Sequence, residues 1–370
     1  MAGAIYILLW VRRCEIRFDR IPDTRDLWRR MEREGGHYTA DRPGSVLVVG
    51  FLQRGREQFG AFGQVRKGED VPAGQDSIFE IGSLTTSFTA LAFAELASRK
   101  VLHLHQPVAS LLPAHLVTPH NRARTMALRH LACHASGLPE FPRNLEEHVA
   151  DETNPYADYT REHLLEAFAA ERNRPPPGRH YQYSSYGYGL LGCLLEHATR
   201  LDYPTILQEV VCRTLGLQDT VVAIDPERAP RMLQGWHPGR RPASSWSFDG
   251  LRAAGGVRST ARDLLTLLRA ELRPESTPLQ QALKVTQAIH FHRRHRLEGL
   301  GWHIMKTPEG PLLHWQNGAT GGFVGFVGFD LQNRNGLVLL SNHGDAWNRD
   351  DALDQLGLIF LKLAARISMD

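Results

Sequence analysis

Lysine is scarce in this chain. Among 43 Lys plus Arg only five are Lys, at positions 67, 100, 284, 306 and 362, and none stands in a stretch that reads as catalytic. A motif that depends on an ammonium group has none to draw on. Cysteine is as sparse: Cys14, Cys133, Cys193 and Cys212 are scattered without C-x-x-C spacing. That excludes a zinc site or a disulfide scaffold from the expectations and leaves free, buried thiols, which suit a reducing compartment. Net charge is nearly absent at +3, so neither nucleic acid nor a membrane surface is an expected partner. Long apolar runs are missing too. The run Ala2 to Val11 ends at Arg12-Arg13 and is too short to span a bilayer. It has no basic segment before it and no small-x-small site after it, so it does not read as a signal peptide. A cytoplasmic location is the expectation, with the periplasm as the alternative.

The composition that remains is that of an ordinary soluble protein, 42% hydrophobic and 22% charged. A chain of 370 residues exceeds the roughly 250–300 at which one core stops growing, so two lobes are expected. The pivotal stretch is Phe79 to Ala97, FEIGSLTTSFTALAFAELA. Leu84, Phe88, Leu91, Ala92 and Leu96 recur at helical spacing. Apolar residues fill the other faces, so a helix buried nearly all round is predicted. Ser83 then sits at the helix N-terminus, where free backbone N–H groups point outward. On this stretch alone an N-cap is the simpler role for it. A nucleophile is the other, since those N–H groups can receive an oxyanion.

Before this helix the pattern predicts a helix over Asp23 to Glu34. Two strands follow, Ser45 to Leu52 and Glu57 to Gln64, joined by a turn at Arg54-Gly55. After it, 101–125 reads as loop. His103 and His105 lack a nearby third ligand and are taken as loop residues, not a metal site. Thr160 can cap a helix from Arg161 to Arg172, which Pro175-Pro176-Pro177-Gly178 breaks. An apolar helix runs from Gly187 to Ala198. Thr260 with Asp263 is a near capping box for another, bearing Leu264, Leu265, Leu267 and Leu268. The run HFHRRHR, His290 to Arg296, reads as a solvated loop; phosphate or metal binding is its other reading. Strands are expected at Trp302 to Met305, Leu312 to Gly318, Phe323 to Phe329 and Leu337 to Leu340. Asn335-Gly336 is the turn signal between the last two. An amphipathic helix, Asp351 to Arg366, closes the chain.

Several blocks carry a family resemblance. GSLTT around Ser83 resembles the S-x-x-K stretch of the serine β-lactamase and penicillin-binding superfamily. LRHLACHASGLP (128–139) resembles L-L-T-H-T-S-G-L, a structural segment in which His134 carries no chemistry. YSSYGYGLLG, from Tyr183, resembles Y-S-N-x-G-Y-x-L-L-G. LGLQDT (215–220) resembles L-G-M-x-D-T, and AAGGVRSTARDLL resembles A-G-G-L-x-S-T-A-x-D-L. HWQNGATGGF (314–323) resembles W-H-N-G-A-T-G-G-F. In this order the blocks span about 43–342 and point to the class C β-lactamase, DD-peptidase and esterase branch. The resemblance implies an α+β fold, an antiparallel sheet flanked by helices with an inserted all-helical lobe. The expected divisions are an N-terminal extension (1–24), the sheet lobe's first part (25–82), the helical lobe (83–249) and the sheet lobe's second part (250–370).

The same resemblance implies a catalytic set of Ser83, Thr86, Tyr183, Ser185 and Gln316, with Asn317, Gly318 and Ala319 on the substrate. Ser83 would be acylated, and the N–H groups of Ser83 and Ala319 would hold the oxyanion. Three positions depart from the pattern. Thr86 stands for the lysine one helical turn on, Ser185 for an asparagine, and Gln316 for the histidine or lysine of the third motif. Thr86 offers only a hydroxyl. An unperturbed phenol such as that of Tyr183 is phenolate in only about one molecule in a thousand at pH 7. A positioned base contributes ~10²–10⁴ in rate, and parts acting as a unit fail together. Two functions follow. One is a weak serine hydrolase for ester or peptide-like acyl substrates. The other is an inert member that binds an acyl or peptide-like ligand or a protein partner. No cofactor or metal is expected.

Overall fold

The computed structural model describes residues 23–42, 44–64, 73–172, 175–239, 241–308, 310–344 and 352–367. The apolar run Ala2 to Val11 and Cys14 lie outside them. In chain order the elements that position the site begin with α1 (Thr24–Ala40), β1 (Val46–Gln53), β2 (Arg56–Gly63) and β3 (Ile78–Glu80). Next come α2 (Thr85–Ser98), α3 (Arg161–Ala170), α4 (Ser185–Thr199), β4 (Arg258–Thr260) and α5 (Ala261–Leu272). The last part holds β5 (Phe291–Arg293), β6 (Arg296–Glu298), β7 (His303–Lys306), β8 (Leu312–Ala319), β9 (Val324–Asp330), β10 (Asn335–Ser341) and α6 (Ala352–Ala364). The molecule is α+β. Eight strands form an antiparallel sheet in the order β2-β1-β10-β9-β8-β7-β6-β5.

Why β1 and β10 read as near-continuous apolar runs follows from their place. Both are central and covered on both faces. Val46, Val48 and Leu52 of β1, with Val338 and Leu340 of β10, face the large core under α2 and α5. Leu47, Val49 and Phe51, with Leu337 and Leu339, face a second core. That core is closed by Leu27 and Met31 of α1 and by Leu353, Phe360 and Leu361 of α6. Alternate residues of one strand thus feed two layers, as the period of two requires. All residues of α2 from Thr85 to Leu96 are buried, matching the apolar pattern around its circumference.

The chain leaves the sheet region after β2 and returns before β5. β3 and β4 pair antiparallel at the base of this excursion, Phe79 opposite Ser259. Two of the sequence blocks meet nearby. Asp263 Oδ2 accepts from the Asp219 N–H and the Thr220 hydroxyl, each at 2.8 Å, while Thr260 caps α5 by accepting the Asp263 N–H at 3.1 Å. The LGLQDT turn is therefore tied to the start of α5 by one carboxylate.

Three local expectations are corrected. α1 runs on through Gly35-Gly36 to Ala40 rather than ending at Glu34. Gly35 lies against the Phe62 ring, which a Cβ there would meet at 2.6 Å, so packing overrides glycine's low helix propensity. The HFHRRHR run is not a loop but the β5–β6 hairpin, Phe291 opposite Glu298, turning at Arg294 with φ +54°. It is the edge of the sheet, where exposed charge blocks further pairing. Asn335-Gly336 belongs to β10 itself, Asn335 opposite Asp330. The turn is 331–334, with Arg334 at φ +57°. Asp330 organises it, accepting from the Gln332 N–H at 2.9 Å and the Asn333 side-chain amide at 2.6 Å.

One backbone contact fixes the site. The turn Gly82–Leu84 ahead of α2 presses on the end of β8. A Cβ on Gly82, which has φ +50°, would lie 2.5 Å from Ala319 O and 2.7 Å from Ala319 N. A Cβ on Gly318 would lie 2.0 Å from Ile81 O and 2.9 Å from Ser83 N. Neither position has room for a side chain.

Gly318→Ala should therefore force the two segments apart, at a cost of about 2 kcal/mol or more, read as a lower denaturation midpoint with unchanged far-UV circular dichroism. A second expectation concerns Glu271 on α5. It is buried, with Gln287 donating to it at 2.6 Å, and burial lifts its carboxyl from the ordinary 4.5 to about 8. Between those values the folded state binds more protons than the unfolded chain, so stability falls as pH rises. Glu271→Gln should flatten the fall between pH 5 and 8 and melt higher than the parent at pH 8.

Candidate active site

Ser83 sits in the turn that opens α2, half-buried, with the Thr85 N–H closing back on Gly82 O and Ser83 O. It faces a cavity of about 530 Å³. Six residues named from sequence line that cavity: Ser83, Tyr183, Ser185, Asn317, Gly318 and Ala319. Thr86 and Gln316 do not. Both are fully buried behind the wall and bonded to each other, Gln316 Nε2 donating to Thr86 Oγ1 at 2.9 Å. Thr86 in turn donates to Ser83 O at 2.8 Å, and Gln316 Oε1 accepts the Asn317 N–H at 3.1 Å. The threonine's proton is spent on a carbonyl. Two positions where the resemblance leads one to expect cations hold a matched neutral pair instead.

The close approach of Gly82 and Gly318 brings the backbone nitrogens of Ser83 and Ala319 to the two sides of a single contact. Next along β8, Asn317 Nδ2 donates to Asp354 Oδ2 at 2.5 Å, which ties α6 to the strand.

Tyr183 comes from the loop before α4. His134 holds this loop on both sides: its carbonyl accepts the Gln182 N–H at 2.9 Å and its Nδ1 the Ser184 N–H at 3.0 Å. Its ring stacks on Tyr183, centroids 4.3 Å apart. Complete burial, with His303 and Arg296 nearby, holds the His134 imidazole well below its ordinary pKa, hence neutral. A residue to which the sequence gives no chemistry thus positions the tyrosine. Ser184, not Ser185, caps α4, accepting the Gly187 N–H at 2.9 Å. Ser185 begins the helix and turns to the cavity.

Two groups of lining residues were not legible in the sequence. One is an aromatic wall. Tyr156 stacks on Phe248 at 5.0 Å and on Phe141 at 5.9 Å, and meets Trp246 edge-on at 5.1 Å. These rings come from two loops without periodic pattern. The other is His303 on β7, with Glu298 beside it, His303 Nδ1 to Glu298 Oε2 at 2.8 Å. Nothing in the spacing of these two marks them as a pair; the hairpin register, Glu298 opposite His303, makes it. Glu140 and Asp354 are the carboxylates on the lining, and among the described residues no Lys or Arg lines it.

Elsewhere the structure gives less chemistry. His103 and His105 stay in the loop, and no group of His, Cys, Asp or Glu among the described residues could hold a metal ion. Cys133, Cys193 and Cys212 are buried free thiols. Burial raises the pKa of each, so they are poor nucleophiles. Among the described residues no helix is long and apolar enough to cross a membrane.

Comparison with known proteins identifies the family. The beta-lactamase family model matches residues 28–359. A beta-lactamase of Yersinia enterocolitica is 24% identical over 335 residues, covering 81% of this chain and 82% of that relative. One from Pseudomonas fluorescens is 26% identical, covering 80% and 88%. The D-alanyl-D-alanine-carboxypeptidase/endopeptidase AmpH of Escherichia coli (strain K12) is 25% identical, covering 82% and 80%. With a match across nearly its whole length, this chain belongs to the beta-lactamase family.

Proposed function

We propose that this protein is a serine acyl-transfer enzyme of the class C β-lactamase and DD-peptidase branch, restricted to labile esters with an apolar acyl group. The carrying observation is the pairing of Ser83 with the Ala319 strand end at one cavity that also holds Tyr183. Ser83 Oγ would attack the ester carbonyl, and the N–H groups of Ser83 and Ala319 would take the oxyanion. Such donors are worth ~10²–10³ in rate each and do not depend on side-chain identity. Asn317, with its side chain held by Asp354, would line the acyl group's path.

Two observations narrow the substrate. The aromatic wall formed by Phe141, Tyr156, Trp246 and Phe248 suits an apolar acyl chain or ring. Glu140 and Asp354 on the same lining disfavour a substrate carboxylate, which penicillins and peptide C-termini carry. The buried Thr86–Gln316 pair also leaves an amide's poor leaving group without the usual ammonium. That pair is what favours the second reading, an inert member that binds an acyl or peptide-like ligand.

The two readings separate in one experiment. The protein and its Ser83→Ala variant are incubated with a fluorophosphonate, p-nitrophenyl butyrate and a fluorescent penicillin, with intact mass as readout. The expected result is one fluorophosphonate adduct and slow ester turnover, both lost in Ser83→Ala, with little penicillin adduct. No Ser83-dependent adduct at high reagent excess returns the inert reading.

A further inference from the structure

We propose that the Glu298–His303 pair supplies the proton acceptor that the missing lysine would have been, drawing the Ser83 proton by way of the Tyr183 hydroxyl. This rests on the acyl-transfer reading above.

The pair is built, not incidental. Glu298 is 1% exposed and His303 6%. A buried carboxylate needs partners, and Glu298 has two: His303 Nδ1 on one oxygen at 2.8 Å and the Arg296 guanidinium on the other. Arg296 lies over the Tyr181 ring, 3.9 Å from its centroid. A carboxylate can only accept, so His303 Nδ1 carries the hydrogen and Nε2 the lone pair. Arg296 Nη2 also approaches Nδ1, at 3.2 Å; the shorter contact to a charged acceptor decides the tautomer. His303 lines the cavity that Ser83 and Tyr183 line. Its ring centroid is 6.2 Å from that of Tyr183, on the same cavity lining, and the proton would pass between the two rings once substrate or one water closes the path.

Of the two imidazoles beside Tyr183, only this one is equipped for the task. His134 spends Nδ1 on the Ser184 N–H and has no carboxylate bonded to it. His303 has its carboxylate in place, the arrangement that holds a histidine in the accepting tautomer and stabilises its cation.

The Ser83 Oγ–carbonyl carbon bond forms while the carbonyl π pair moves to the oxygen. The Oγ proton passes to the Tyr183 oxygen as the Tyr183 proton passes to His303 Nε2. On collapse the bond to the leaving alkoxide breaks and the same proton path returns a proton to it. Water repeats the sequence to release the acid.

The test uses the full chain and p-nitrophenyl butyrate, with kcat and KM measured separately. His303→Gln should lower kcat about 100-fold, with KM within about threefold. Added imidazole should restore His303→Ala at least about tenfold and leave Ser83→Ala inert. His303→Gln combined with Tyr183→Phe should cost no more than the larger single loss, as for groups acting in one path. If His303→Gln fails to fold, Glu298→Gln carries the test, with an expected drop of about tenfold or more. A folded His303→Gln at parental kcat, a His303→Ala loss that imidazole does not restore, or an additive double variant would overturn the inference. In those cases the parent still turns over by Ser83, so the acyl-transfer reading stands. A parent without Ser83-dependent turnover sinks that reading first.

Discussion

The site depends on the contact between two pieces of backbone, the turn at Gly82 and the end of β8 at Gly318. Each glycine faces the other segment's main chain at a distance no Cβ tolerates. Through this contact a helix start and a strand end, far apart in sequence, share one site. The sheet holds β8 in register between β7 and β9, and the core under α2 holds the turn. Neither segment can shift without opening the other. Rigid elements on both sides keep the backbone nitrogens of Ser83 and Ala319 in adjoining segments at one cavity.

Against this persistence stands a second feature, the Thr86–Gln316 bond. A lone buried ammonium is costly, and so is a lone buried amide; a donor matched with an acceptor is not. The two positions are coupled, so neither can be read alone. The polar groups behind the wall satisfy one another and leave no charge to bias a neighbouring hydroxyl. Charge stands instead in Arg296 and Glu298, with Glu298 bonded to His303.

Much of the fold was legible because it follows local rules. Alternation in β1, all-round burial of α2 and the Thr260 cap are written in a few residues each. The failures share a cause. Gly35-Gly36 stays helical because Phe62 packs there. HFHRRHR pairs as a hairpin because the sheet edge offers β7 as a partner. Asn335-Gly336 is strand because Asp330 makes the turn first. In each case a packing, pairing or side-chain contact outvoted the preference of the residues by themselves.

By itself the sequence determined the family blocks, the position of Ser83 at a helix start and the presence of Thr86, Ser185 and Gln316 where the resemblance implies other side chains. These are matters of residue type and near-neighbour spacing, which a linear string records. Only the tertiary structure decided that Thr86 and Gln316 bond to each other behind the wall, that His134 anchors Tyr183, and that Glu298 lies against His303 on the cavity. Those are relations between segments brought together by sheet register and core packing, and no spacing along the chain encodes them.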